Sequence, residues 1–235
     1  MKRARPSVSV VVPTLREGAR IADQVRRLLA QAGVDEVIVA DAHSDDGTAE
    51  LAAQAGAVVV HAPPGRARQL NAGAARATGE VLLFVHADVV LPDDAISTVH
   101  ATLATPGTVA GAFRTWTTQD SLAGGNWRFG PIFHLADLRS RVTRYPYGDQ
   151  ALFLRRSTFA DVGGYPDEAL MEDLALAYRL AAVGRVALAP TRVQVSGRRW
   201  QQRPWLTTFL MTTYPTAWRL GVPTKTLAAF YAAIR

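Results

Sequence analysis

The first ninety residues alternate between two periodicities, and that alternation leaves few folds open to the chain. Residues 7–13, SVSVVVP, form a short β-branched run closed by proline, the pattern of a buried strand. Residues 17–32 then place Ile21, Val25, Leu28 and Leu29 at helical spacing, with Gly33 as the stop. Strand and helix patterns follow in turn: DEVIVAD at 35–41, GTAELAAQAG at 47–56, AVVVHA at 57–62, the helical LNAGAARA, and EVLLFVH at 80–86. Strands separated by helices of this length predict parallel βαβ units with right-handed crossovers, and so an open α/β sheet. Such sheets bind ligands outside the carboxyl ends of their strands. Thr14, Glu17, Asp41, His86 and Asp88 cluster at those ends.

The last of these strands carries a puzzle. In VLLFVHADVVL (81–91) an apolar run is interrupted near its end by His86 and Asp88. Burying an unpaired carboxylate is costly, so a chain keeps one mainly where something binds the charge. The plainer alternative ends the strand at Val85 and leaves Asp88 in a solvated turn before Pro92.

Composition narrows the partners. The 235 residues suffice for one large domain, and 49% hydrophobic against 20% charged residues is the balance of a globular protein with a full core. There is no cysteine, which excludes disulfides, thiolate catalysis and cysteine-based zinc sites and fits a cytoplasmic protein. The basic start MKRARPSVSVVVPTL has too short an apolar stretch for a signal peptide, and no window approaches a membrane span. The net charge is +6, and no acidic residue follows Asp173, whereas Arg179, Arg185, Arg192, Arg198, Arg199, Arg203, Arg219, Lys225 and Arg235 do. A phosphorylated substrate or an anionic membrane surface suits such a tail. Nucleic acid ranks last, because none of its common binding motifs is present.

The strand-to-helix turns hold neither GxGxxG nor GxxxxGK[ST], which argues against a dinucleotide dehydrogenase and a P-loop NTPase. They hold VVPTLREG, DAHSDDGT and GRARQLNAGA, followed later by HAD, GDQALFLRR (148–156), GGYPDEALMEDLALAYRL (163–180) and GRRW (197–200). Each motif alone is weak, but in this order they resemble the family 2 glycosyltransferases of the GT-A fold. Within that family the stretches are most similar to the short bacterial radical-SAM/selenodomain-associated transferases. The resemblance covers nearly the whole chain. It implies a GT-A (Rossmann-like) mixed, mostly parallel open sheet flanked by helices, spanning residues 1–203, with a C-terminal helical extension at 204–235. Residues 1–90 would form the nucleotide-binding half and 91–203 the acceptor and catalytic half.

The resemblance also assigns roles. Asp41 would accept a hydrogen bond from the nucleotide base, with Pro13, Thr14 and Glu17 lining the base and ribose pocket. Asp41 could instead close an Asx-type turn, and Asp46 fits the capping of the next helix. Arg66 and Arg68 precede a helix whose N-terminus favours anions, and either could hold phosphate oxygens. His86-Ala87-Asp88 occupies the place of the family's DxD motif. Side chains at i and i+2 on a strand point the same way, so Asp88 and His86 could face one Mn²⁺ or Mg²⁺ that bridges the diphosphate. Asp88 is the stronger ligand candidate of the two.

The second half would supply the chemistry. Asp173, paired with Glu172 at a helix start, would be the general base of an inverting transfer, although acidic residues also favour helix N-termini on their own account. Asp149 and Gln150 precede a strand and are expected at the acceptor edge. Arg198 or Arg199 would contact diphosphate, and Trp200 would stack on a sugar. GRRW departs from the family's QxxRW pattern, because Gln194 lies too far from the Arg-Trp pair.

The activity so implied is transfer of a sugar from a nucleoside diphosphate donor, UDP ahead of GDP, to an acceptor hydroxyl. The alternatives are a nucleotidyltransferase, whose glycine-rich loop is missing after the first strand, and a non-catalytic nucleotide-sugar-binding homologue. In the C-terminal extension Trp205, Leu206, Phe209, Leu210, Tyr214, Ala217 and Trp218 fall on one helical stripe, with a kink expected at Pro215. Covering the core is its default reading. A homodimer interface, or a peripheral contact with the inner face of the membrane that would suit a lipid-linked acceptor, is the alternative.

Overall fold

The structure is a computed structural model that describes residues 5–119, 134, 137, 138 and 145–234. Its first part follows the alternation in the sequence. Strands β1 (Val8–Thr14), β2 (Glu36–Asp41), β3 (Val58–His61) and β4 (Val81–Phe84) are separated by helices α1 (Gly18–Leu29), α2 (Thr48–Gln54) and α3 (Arg66–Arg76). Helix α3 begins four residues before LNAGAARA, so Arg66 and Arg68 lie in its first turn and not ahead of it. After β4 come β5 (Val89–Val90), α4 (Ala95–Ala104), β6 (Thr108–Thr118), a 3-10 turn at Gly148–Gln150 and β7 (Phe153–Arg155). The chain continues with α5 (Arg156–Asp161), α6 (Glu172–Val183), β8 (Arg185–Ser196), α7 (Arg198–Gln202), α8 (Pro204–Arg219) and α9 (Thr224–Ile234).

All eight strands join one sheet in the order β3-β2-β1-β4-β7-β6-β8-β5. β1 pairs in parallel with β2 and β4, and β2 with β3. β7 runs antiparallel to both β4 and β6, which restores the first direction in β6 and in its parallel partner β8. The carboxyl ends of β1, β2, β3, β4, β6 and β8 therefore share one edge. The sheet buries both faces. Val10, Val12, Leu83, Phe113 and Phe153 pack under α1 and α4, and Val11, Ile38, Leu82, Phe84 and Leu176 pack on the opposite face with α3 and α6. Continuous apolar strands such as VVVP and VLLF follow from burial on both faces.

Two expectations need correction. β4 stops at Phe84, and His86-Ala87-Asp88 lies in a tight turn, in which the Val89 N–H donates to the His86 carbonyl, 3.1 Å. Strand alternation therefore does not orient His86 and Asp88. The C-terminal stripe, in turn, is not simply a core cover. Tyr214 is buried, but Trp205 is 67% and Phe209 58% exposed. Helix α8 runs through Pro215, and the hydroxyls of Thr212, Thr213 and Thr216 donate to carbonyls one turn back. Among the described residues no helix is long and apolar enough to cross a membrane.

One glycine fixes how α3 sits. A Cβ on Gly73 would come within 2.4 Å of Val11 Cγ1, and Val11 is fully buried in β1. Overpacking of this kind costs about 1–3 kcal/mol, whereas alanine's better helix propensity returns about 1 kcal/mol at most. A contact as close as 2.4 Å belongs in the upper part of that range, so Gly73→Ala should lose roughly 1–2 kcal/mol net in urea unfolding. A variant as stable as the parent would show that α3 is free to move away from the sheet.

Candidate functional site

The shared edge of the sheet collects the polar residues. At the end of β2, Asp41 is fully buried, and its carboxylate is held by three donors. Oδ1 accepts the hydroxyls of Thr14 (3.0 Å) and Ser44 (2.6 Å), and Oδ2 accepts the Ser44 backbone N–H at 2.8 Å. This closes the turn after β2, while Asp46 caps α2 through the Thr48 N–H and hydroxyl. Asp41 is thus tied into a turn without being the helix cap. Its exposed neighbour is His61, with Nδ1 4.0 Å from Oδ2 and its ring stacked on His43. Pro13 and Thr14 stand beside Ala40 and Asp41 in the β1–β2 ladder. Gln69, buried on α3, donates to the carbonyls of Thr14 (2.6 Å) and Ala40 (3.0 Å) and so locks both strand ends.

Asp88 does not stand alone in its turn. Arg198 Nη2 lies 3.4 Å from Asp88 Oδ2 and 3.0 Å from Glu17 Oε1, so one guanidinium from the second half of the chain bridges two carboxylates of the first. Glu17 also pairs with Arg20 at 3.1 Å. Its carboxylate is therefore engaged by arginines, and it does not stand open as a ribose-lining group. Backbone bonds reinforce the junction: the Ser196 N–H donates to the Asp88 carbonyl, and the Gly197 N–H to the Thr118 carbonyl. The buried Gln24 on α1 donates to the carbonyls of Val89 (2.6 Å) and His86 (3.3 Å), holding the turn from below. Ala87 is buried within it.

The ED pair opens α6. Asp173 Oδ2 accepts the Gly148 N–H at 2.6 Å, and Oδ1 accepts the Leu174 N–H at 2.7 Å. A Cβ on Gly148 would lie 3.1 Å from His86 Nε2 and 3.4 Å from Asp173 Oδ2. The metal-motif turn and the ED carboxylate therefore meet across one bare backbone position. Two non-glycine residues with left-handed backbone, Ala151 (φ 47°) and Met171 (φ 66°), flank this contact, a strain of the kind found at binding sites. Glu172 is buried and pairs with Arg66 at 3.1 Å. Burial pushes the Glu172 carboxyl above its ordinary value, the Arg66 charge opposes the rise, and Asp173 adds to it.

Other sequence candidates sit differently from expectation. Arg66 is committed to Glu172. Arg68 forms an exposed two-point pair with Asp167, at 2.9 Å for each bond. Gln150 is buried: its amide donates to the Phe113 carbonyl at 2.9 Å and accepts the Tyr147 N–H at 3.1 Å. It positions the Gly148 turn against β6 and does not reach into the cleft. Asp149 lies in that same turn. The side chains of Arg199 and Trp200 lie outside the described residues. Sequence reasoning gave no role to Gly148, Gln24 or Gln69. The only sign of the two glutamines was an uncharged polar residue on an otherwise apolar helix face.

The donor set fits a divalent cation carried by a diphosphate. Among the described residues no three His, Asp or Glu side chains gather as a ready-made metal cage. Mg²⁺-type sites are commonly built from one or two carboxylates plus substrate phosphates and water. Asp88 supplies such a carboxylate, and the Arg198 guanidinium shows that the position already draws a positive charge.

Comparison with known proteins agrees with this geometry. The model of glycosyl transferase family 2 matches residues 9–160, more than half of the chain. A curated relative, the glucosyl-3-phosphoglycerate synthase of Mycolicibacterium smegmatis, is 35% identical over 102 residues, which are 39% of this chain and 34% of the relative. The chain thus matches about a third of that relative's length, 34%. Among solved structures, a mannosyltransferase from Pyrobaculum calidifontis in complex with GDP-Man and Mn²⁺ has a TM-score of 0.65 at 23% identity, covering 82% of this chain and 57% of that one. Glucosyl-3-phosphoglycerate synthase from Mycobacterium tuberculosis, in complex with Mn²⁺, UDP and glucosyl-3-phosphoglycerate, has a TM-score of 0.57 at 21% identity, covering 81% and 71%. Mannosyl-3-phosphoglycerate synthase from Rubrobacter xylanophilus has a TM-score of 0.58 at 20% identity, covering 92% and 74%. At these identities the structural likeness establishes the fold, which is GT-A.

The buried Glu172 carboxyl makes stability depend on pH. Its folded value lies above its unfolded one, so its contribution is fully present below the unfolded value and is lost as pH rises through the folded value. Glu172→Gln cannot ionise. Its stability relative to the parent should therefore climb as pH is raised from below the ordinary glutamate range towards neutrality, followed by denaturant unfolding. A relative stability that stays flat or falls across that window would show that Arg66 fully compensates the buried charge.

Proposed function

Because the chain belongs to glycosyl transferase family 2, we propose that its cleft moves a glycosyl group from a nucleoside diphosphate sugar to an acceptor hydroxyl with inversion. The observation that carries this reading is the meeting of Asp173 with the His86–Asp88 turn across Gly148. An inverting displacement needs a carboxylate beside the attacking hydroxyl and a neutralised leaving group on the opposite side of the anomeric carbon, and no enzymic nucleophile between them.

Each residue has a part in that reading. Asp41, held by Thr14 and Ser44, is fully buried, so its Oδ2 takes a base N–H once the exposed His61 beside it moves aside. Uracil N3–H and guanine N1–H both suit such an acceptor, and this reading keeps UDP ahead of GDP. Relatives are seen with both nucleotides, GDP-Man in one and UDP in another. Asp88 would hold Mn²⁺ or Mg²⁺ together with the phosphate oxygens, and His86 is the second candidate ligand. The bound ion would neutralise charge that develops on the departing diphosphate. Arg198, which bridges Glu17 and Asp88, is the guanidinium placed to meet the diphosphate. Gly148 orients the Asp173 carboxylate, which still has lone pairs to take the acceptor's proton. Arg66 and Glu172 pair with one another and position the start of α6.

Asp173→Asn tests this reading. The variant keeps the shape of the side chain and its acceptor oxygen for the Gly148 or Leu174 N–H but cannot take a proton. It should bind donor and metal as the parent does and lose about 10²–10⁴-fold in turnover, the span of a general base. Release of nucleoside diphosphate, or slow donor hydrolysis without acceptor, is the measurement. A folded variant with parental turnover would move the base to another carboxylate, Asp149 or Glu172.

A further inference from the structure

On the acceptor side of the sheet, β6 and β8 carry a group of side chains that the transfer chemistry does not use. Arg114 and Arg192 stand in register on neighbouring strands, two residues before the Trp116–Gln194 pair. Like charges directly opposite one another destabilise a sheet, yet among the described residues neither arginine pairs with a carboxylate. Arg114 Nε is buried and meets no acceptor. The Arg192 guanidinium lies 5.3 Å from the centre of the Trp116 ring, and the His134 imidazole stacks on that ring at 4.4 Å.

The imidazole is itself built in. Asp137, 1% exposed, accepts the Thr117 N–H and the hydroxyls of Thr115 and Thr117. It closes the edge of β6 beyond the reach of β7, and its Oδ2 lies 2.7 Å from His134 Nδ1. With Nδ1–H donating to Asp137, Nε2 of the half-exposed ring meets an anion either as acceptor of a hydrogen-phosphate proton or, in the imidazolium form, as a donor. Two unpaired guanidinium groups, one with an unanswered buried N–H, beside a fixed imidazole and an aromatic plate, lack one thing: an anion.

Arg192 precedes Ser196, which bonds the Asp88 carbonyl, by four residues of strand, roughly 13 Å of backbone. We propose that Arg114, Arg192 and His134, around Trp116, form a subsite for a phosphate or carboxylate group on the acceptor. Calling the anion the acceptor's rests on the transferase reading, while the site itself does not.

The test uses the full chain saturated with UDP and Mg²⁺, so that the diphosphate position is filled. Inorganic phosphate and 3-phosphoglycerate are titrated while the Trp116 indole N–H resonance, assigned through Trp116→Phe, is followed. Both probes should shift it at millimolar concentration. Arg192→Gln, an exposed substitution, and Arg114→Gln should each weaken that binding at least fivefold and leave UDP affinity within twofold. Flotation with phosphatidylglycerol vesicles separates the sources. Arg192-dependent flotation assigns the group to a lipid phosphate, and shifts without flotation assign it to a soluble acceptor. An unmoved resonance without flotation, or an Arg192→Gln protein that binds as the parent does, overturns the subsite. If UDP itself fails to bind, the transferase reading falls, and the phosphate titration on the ligand-free protein still decides the subsite.

Discussion

The direction of the strands is the constraint on which everything else rests. β7 runs against both β4 and β6, and that one reversal lets β6 and β8 point the same way as β1, β2 and β4. Asp41, the His86–Asp88 turn, Thr118 and Ser196 then end at one edge, although they come from both halves of the chain. Long parallel pairing between β6 and β8 carries the second half to the first, and the Ser196–Asp88 backbone bond joins them. A ligand that binds there touches strand ends fixed by a core buried on both faces, which is what a positioned displacement requires.

That edge is rich in carboxylates, and the protein deals with each in a different way. Asp41 is fully buried and held by hydroxyl and backbone donors, which fixes the turn after β2. Glu172 is buried with one arginine and carries the cost of desolvation in its raised proton affinity. Asp88 shares Arg198 with Glu17. With Arg20 also paired to Glu17, two guanidinium groups balance the two carboxylates at this junction.

Much of this could be read in the sequence because it is local. The strands at 36–41 and 58–61 and the helix start at Glu172 follow from periodicity and residue type over a few positions. Asp88 was identifiable as an oddity because a carboxylate interrupts an apolar run. The argument that put it on a strand failed, since β4 ends at Phe84, and a two-residue alternation has no force inside a turn. What was not legible depends on distant pairing. Nothing near Glu17 announces Arg198, 181 residues away, and nothing near Arg66 announces Glu172. Gln150 is expected at the acceptor edge because it precedes a strand. Its burial depends on β6, whose edge it covers, and that edge is set by where β7 stops. The stripe containing Trp205 and Phe209 has the spacing of a core face, but spacing cannot say which surface a helix is offered, and here part of it meets solvent.

The central claim is that Asp88 holds the cation of a metal–nucleotide pair at the place where Arg198 now stands. Calorimetry of UDP binding with and without Mn²⁺, on the parent protein and on Asp88→Ala, tests it most directly. The account predicts that Mn²⁺ tightens UDP binding to the parent, and that Asp88→Ala stays folded and loses that enhancement. Full Mn²⁺ enhancement in a folded Asp88→Ala protein would contradict it.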